Sequence, residues 1–158
     1  MRIRSIPLAI ALCGLVATSA SGAGLACPDI AEARQVAVCP SAEELEYTFL
    51  GYCGDNARLY GRDGDTCESF ENYRKVKDIA LWESADGAFS GYVSCATAPA
   101  AVRAAGPVRM TVERKGTLTL LTCSYGDDIR LVHRTKAACE VLGQGECAQP
   151  GDCRASCE

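Results

Sequence analysis

Between residues 108 and 134 apolar and polar positions alternate along the chain. Val108, Met110 and Val112 take turns with Arg109, Thr111 and Glu113, the period of a strand with one buried and one wet face. Lys115-Gly116 then predicts a turn, 118–125 a second strand, Gly126-Asp127 another turn, and 129–134 a third strand. Upstream, Ile79 to Glu83 reads as a strand and Ala85-Asp86-Gly87 as a turn. Residues 88–97 alternate again, with Phe89, Gly91, Val93 and Cys95 on one face. Strands that follow one another through short turns predict antiparallel neighbours. A last strand or turn is expected at 138–142.

The first part of the chain reads differently. Pro28-Asp29 is expected to open a helix through Ala31, Ala33 and Val36 that ends before Pro40. Ser41 with Glu44 makes a capping box and opens a helix carrying Leu45 and Phe49. Residues 47–53 also read as an aromatic strand, and the pattern does not choose. Asp65 with Glu68 makes a second cap-like start, placing Phe70 and Tyr73 on one side of a short helix to about Lys77. Residues 99–107 read as a small-residue loop. The expected architecture is therefore α+β: an antiparallel meander of about four to six strands with one or two short helices, disulfide-stapled.

The extreme N-terminus adds a leader. A basic start at Arg2 and Arg4, an apolar run over 6–17 and small residues to Ala26 are the three parts of a secretory signal. Cleavage is expected after Ala20, Ala23 or Ala26, leaving 27–158 as one domain with a Cys-rich tail over 139–158. The apolar run is shorter than the roughly 20 residues of a spanning helix, so no integral membrane span is expected. Leu25-Ala26-Cys27 suggests a lipid anchor at Cys27, but Gly24 stands where that signal places Leu.

Cysteines change the picture most. Of eleven, Cys13 lies in the leader. The others, Cys27, Cys39, Cys53, Cys67, Cys95, Cys123, Cys139, Cys147, Cys153 and Cys157, are an even set. In an exported small domain such a set is a disulfide framework. Near neighbours, Cys27 with Cys39 and Cys53 with Cys67, are the first pairings to expect. No Cys-x-x-Cys occurs, which argues against a redox centre, and the tail lacks the paired spacing of most zinc sites. No cofactor is expected. The framework, the Ala-, Arg- and Gly-rich composition and the leader predict a bacterial periplasmic or secreted protein.

The formal net charge of −4 argues against nucleic acid and anionic membranes as main partners, since both reward clustered cations. Against that background, Arg130, Arg134 and Lys136, with Arg109, form a candidate partner-binding stripe; charges that block edge pairing are the plainer meaning. Tyr47, Tyr52, Tyr60, Trp82, Tyr92 and Tyr125 are candidate interface anchors or core. His133 is the one histidine and shares phase with Ile129 and Leu131, which predicts packing rather than catalysis. Asp63, Asp65 and Glu68 do not match the spacing of a calcium loop. Glu43-Glu44 and Asp127-Asp128 are adjacent, so neither pair makes an acid/base dyad.

Cys39-Pro40-Ser41, Trp82 with Phe89-Ser90-Gly91, and Leu121-Thr122-Cys123-Ser124-Tyr125-Gly126 together resemble small bacterial periplasmic proteins of unknown function. Some of these accompany toxins as immunity proteins. The resemblance implies a binding role and carries over no catalytic residue; the tail after Cys139 departs from it. The leading expectation is an exported non-enzymatic binding protein, an inhibitor or immunity protein against a toxin or hydrolase, with another protein as partner. The alternatives are a secreted enzyme or toxin using Asp63, Asp65 or Glu68 with His133, and a structural envelope component.

Overall fold

The computed structural model describes residues 23–106, 109–126, 128–143, 145–147 and 151–158. Residues 1–22, most of the expected leader, lie outside them. The last small residues before Cys27 form a strand, β1 (Ala23–Ala26). Cys27 continues its line, donating its N–H to the Cys153 carbonyl at 2.9 Å.

The helix expected over 28–36 does not form. Asp29 caps only a single 3-10 turn, Ile30–Glu32, and Ala33 is already extended. The chain then enters a two-residue strand, β2 (Arg34–Gln35), which pairs with residues 82 and 83. The sheet edge takes over the backbone hydrogen bonds that a helix would have used. Ile30 and Ala33, three apart, are both buried.

Ser41 does cap α1 (Ala42–Cys53), with both halves of the capping box made. The undecided stretch 47–53 is helical, because Leu45, Phe49 and Tyr52 at i, i+4 and i+7 supply its inward stripe. Two short helices follow, α2 (Asn56–Leu59) and α3 (Gly64–Cys67), then α4 (Phe70–Lys77). The expected start at Asp65 is corrected: Ser69 caps α4 by accepting the Asn72 N–H at 3.1 Å. Phe49 meets Phe70 and Tyr73 at ring distances of 5.6 and 5.3 Å. These helices therefore share a small aromatic core of their own.

β3 (Ile79–Glu83) and β4 (Ser90–Ser94) form a hairpin. The expected loop at 99–107 contains a helix instead, α5 (Pro99–Ala104), with Pro at its start. Ala is the best helix former and Pro is tolerated in the first turn, so the small residues there favour a helix. Then come β5 (Arg109–Lys115), β6 (Leu118–Tyr125), β7 (Ile129–Thr135), β8 (Cys139–Leu142) and β9 (Arg154–Cys157).

The strands form two antiparallel sheets. The larger has the order β2-β3-β4-β7-β6-β5 and the smaller β1-β9-β8. The fold is thus α+β and disulfide-stapled, as the patterning predicts. One detail is topological: after β4 the chain runs through α5 to the far edge, so β7 rather than β5 lies beside β4. One face of the large sheet, carrying Phe89, Val93, Met110, Leu121, Cys123 and Leu131, packs on Ile30, Val102 and Ala155 to form the main core.

Five disulfides use all ten cysteines from Cys27 to Cys157. Cys53 joins Cys67 as expected. The other near-neighbour pairing is corrected: Cys27 joins Cys123 and Cys39 joins Cys95. The extended course of 33–36 carries Cys39 away from Cys27 along the sheet edge. In the tail, Cys139 joins Cys157, its direct register partner on β9, and Cys147 joins Cys153. Tyr125 adds a tie between sheet and N-terminal segment, donating to the Pro28 carbonyl at 2.6 Å. Burial, and then the charge of Asp29, push its phenol pKa far up. Among the described residues no helix is long and apolar enough to cross a membrane.

Candidate functional site

The strand register divides the large sheet into two faces of opposite character. On β6, Thr119, Leu121, Cys123 and Tyr125 are buried, while Leu118, Leu120, Thr122 and Ser124 point the other way. Their register partners follow them. One row across β5, β6 and β7 is Arg109, Ser124, Arg130; another is Glu113, Leu120, Arg134. Val132 pairs with Thr122 and with Ser90, which links these rows to β4. There Tyr92 stands opposite Leu81, and beyond it Arg34 stands opposite Glu83.

Among the described residues, no side chain on this outer face is buried. Tyr92, near its middle, is 65% exposed. Leu81 stands opposite it, with Ile79 and Val132 on the diagonals, while Ser90, Ser94, Thr111, Thr122 and Ser124 make most of the rest of the face polar. An antiparallel sheet often leaves one mainly polar face to water, and this face has that composition apart from the cluster at Tyr92. Tyr and Arg, the two residue types that set this cluster apart from the rest of the face, are both enriched in protein interfaces generally.

The charges are uneven. The face carries Arg34, Arg109, Lys115, Arg130 and Arg134 against Glu83 and Glu113, on a chain whose net charge is −4. Arg109 pairs with Glu146 at 3.1 Å and Lys115 with Glu113 at 3.4 Å. Both pairs are exposed, and such pairs contribute only about 0–1 kcal/mol, so a partner can break them at small cost. Arg34 donates to the Ala85 carbonyl at 2.8 Å. Arg134 and Lys136 have no ion pair within 4 Å among the described residues.

The structure therefore brings Arg109, Arg130 and Arg134 onto one face and sets Lys136 just past the end of β7, exposed. Arg34 joins them from a segment that the sequence reads as helix, so nothing in its pattern points there. Of the aromatics, Trp82 and Tyr125 are core, whereas Tyr47, Tyr60 and Tyr92 are exposed.

His133 lies on the opposite, inner face. It pairs with Leu121, its Nδ1 is 2.7 Å from the Ala88 carbonyl, and its ring is 5.4 Å from Phe89. The hairpin turn fixes that carbonyl. Asp86 accepts the Ser84 hydroxyl at 2.6 Å and the Ala88 N–H at 3.0 Å. These two bonds, the Ser84 one first, hold its carboxyl below the usual range. The acidic residues of the other candidate set are employed elsewhere. Asp63 accepts the Tyr52 hydroxyl at 3.1 Å, and Glu68 accepts the Asn72 amide at 3.4 Å. The structure does not bring Asp63, Asp65 or Glu68 to His133. Asp127 lies outside the described residues.

Comparison with protein-family models, with curated proteins and with solved structures finds no match.

Proposed function

We propose that this chain is an exported, non-enzymatic binding protein that holds an acidic protein surface on the outer face of its large sheet. The observation that carries the reading is the uncovered face itself: an exposed Tyr92 opposite Leu81, on a face that also carries Arg34, Arg109, Arg130 and Arg134. Arginine and tyrosine are the side chains most often dominant in protein interfaces. Positive charge on one face of a negative chain orients an acidic partner before contact. Glu83 and Glu113 within the same face oppose a nucleic-acid backbone.

The sharper form is an inhibitor or immunity protein that blocks a toxin or hydrolase in a bacterial envelope. Five disulfides suit an oxidising compartment. They also hold the face rigid, which lowers the ordering cost of binding. Cys27 supports release from the membrane rather than lipidation, because its sulfur is bonded to Cys123 and buried.

The test is an affinity capture from the envelope extract of the producing cell. Wild type is compared with the double variant Arg130→Glu/Arg134→Glu and with Tyr92→Ala. An acidic protein is expected on the wild type, released by rising salt, with retention reduced about tenfold or more in both variants. The reading fails if the variants hold the same partner equally well, if nothing is held at micromolar protein, or if a nucleic acid is the species recovered.

A further inference from the structure

A second surface lies in the helical segment, away from the sheet face and independent of its reading. Between α1, α2 and the C-terminal turn of α4 runs an open groove of about 690 Å³. That is within the range of small-molecule sites, roughly 300–1,000 Å³. Its lining is aromatic and aliphatic, Tyr47, Leu50, Tyr52 and Tyr73, with Arg58 and Lys77 as cations. Tyr47 and Leu50 are 79% and 71% exposed, an unusual pair of large apolar groups for one turn of a surface helix.

The two cations converge on one ring. The Arg58 guanidinium carbon is 3.9 Å from the Tyr52 ring centroid, and the Lys77 ammonium is 4.6 Å from it. Among the described residues, only Arg58 of the two has a carboxylate partner, Asp55. Of the basic residues in the last turns of α4, Arg74 pairs with Asp78 at 3.4 Å and Lys75 with Glu71 at 3.2 Å. Lys77 is half-buried and has no carboxylate within 4 Å among the described residues. Asp55 is the one acid lining the groove. It lies 3.7 Å from Arg58 and already accepts the Ala57 N–H at 2.9 Å as the cap of α2. The groove thus keeps one positive charge in excess beside an apolar wall.

We infer that this groove binds a small amphipathic organic anion: an aromatic or branched aliphatic body lying along Tyr47 and Leu50, with its carboxylate against Lys77. Lys77, held over the Tyr52 ring without a carboxylate partner among the described residues, offers a charge-assisted contact to such a group. The apolar body gains from covering side chains that water now touches.

The test uses 4-phenylbutyrate, its neutral amide, and butyrate, followed by amide chemical shifts of the whole isotope-labelled protein. Phenylbutyrate is expected to shift residues 47–58 and 73–77 saturably. The amide and butyrate are each expected to bind about tenfold more weakly, the loss of one charge-assisted contact or of the apolar body. Lys77→Gln is expected to reduce phenylbutyrate to the level of the amide, and Leu50→Ser to weaken both. Arg130→Glu/Arg134→Glu is expected to leave this binding unchanged, which separates it from the sheet-face reading. Equal binding of acid and amide, shifts mapping outside the groove, or no saturable shift at millimolar ligand each overturn the inference.

Discussion

Gly91 on β4 backs directly onto the carbonyl oxygen of Arg130 on β7, so close that a Cβ at position 91 would overlap it. This contact lies at the seam of the large sheet, where β4 and β7 share the single registered pair Ser90 with Val132. Gly91 lets the β3–β4 hairpin close onto the three strands that carry the arginines. Gly91→Ala must push the seam apart. It is expected to destabilise by about 1–3 kcal/mol, the usual range for an extra buried carbon, read from the midpoint of denaturant unfolding. An unchanged midpoint would show that the seam has slack. The same variant should weaken partner capture through displacement of Arg130.

The disulfides differ in what they contribute. Cys27–Cys123 spans a sequence separation of 96, Cys147–Cys153 only 6. If a bridge acts mainly by restricting the unfolded chain, the first contributes about 4–5 kcal/mol and the second about 2. The double variant Cys27→Ala/Cys123→Ala is therefore expected to lose more stability than Cys147→Ala/Cys153→Ala. The reverse order would mean that packing around the tail, not loop closure, governs it.

Asp86 gives the fold an acid limb. Its folded-state pKa lies below its unfolded value through the bonds from Ser84 and Ala88. A lowered carboxylate stabilises the folded state above the unfolded pKa, and that contribution is lost as pH falls through the folded value. The loss is expected below about pH 4. Glu44 shifts in the same direction through its bonds to Ser41, so some acid sensitivity stays when Asp86 is replaced. Asp86→Asn should flatten the acid limb of a pH-unfolding curve and loosen the Ala88 carbonyl from His133. An unaltered limb would place the acid response in other carboxylates.

β1 bears on the leader. Ala23, Gly24, Leu25 and Ala26 pair in register with Cys157, Ser156, Ala155 and Arg154. Cleavage after Ala26 would delete the strand, cleavage after Ala23 would remove its first pair, and cleavage after Ala20 keeps it whole. If the expected leader is removed in the cell, the mature chain is expected to begin at Ser21, with a mass lower by two hydrogens per bridge. A mature chain beginning at Cys27 would contradict this.

The sequence by itself determined what depends on local pattern. Alternation gave β3 through β8 nearly in place, the Ser41 capping box gave the start of α1, and the even cysteine set gave oxidation in pairs. Cys53–Cys67 was legible because the chain between them folds back on itself within one helical cluster. Only the tertiary structure decided the rest. The segment 28–36 became a turn and an edge strand because β3 offered it a ladder, and that choice moved Arg34 onto the outer face and Cys39 to Cys95. The placement of β7 beside β4 joined Arg130 and Arg134 to Tyr92, residues about forty apart that no period links. Lys77 and Arg58 meet over Tyr52 for the same reason. Periodicity fixes which side of an element is apolar, whereas the packing of elements fixes which side chains share a surface, and binding depends on the second.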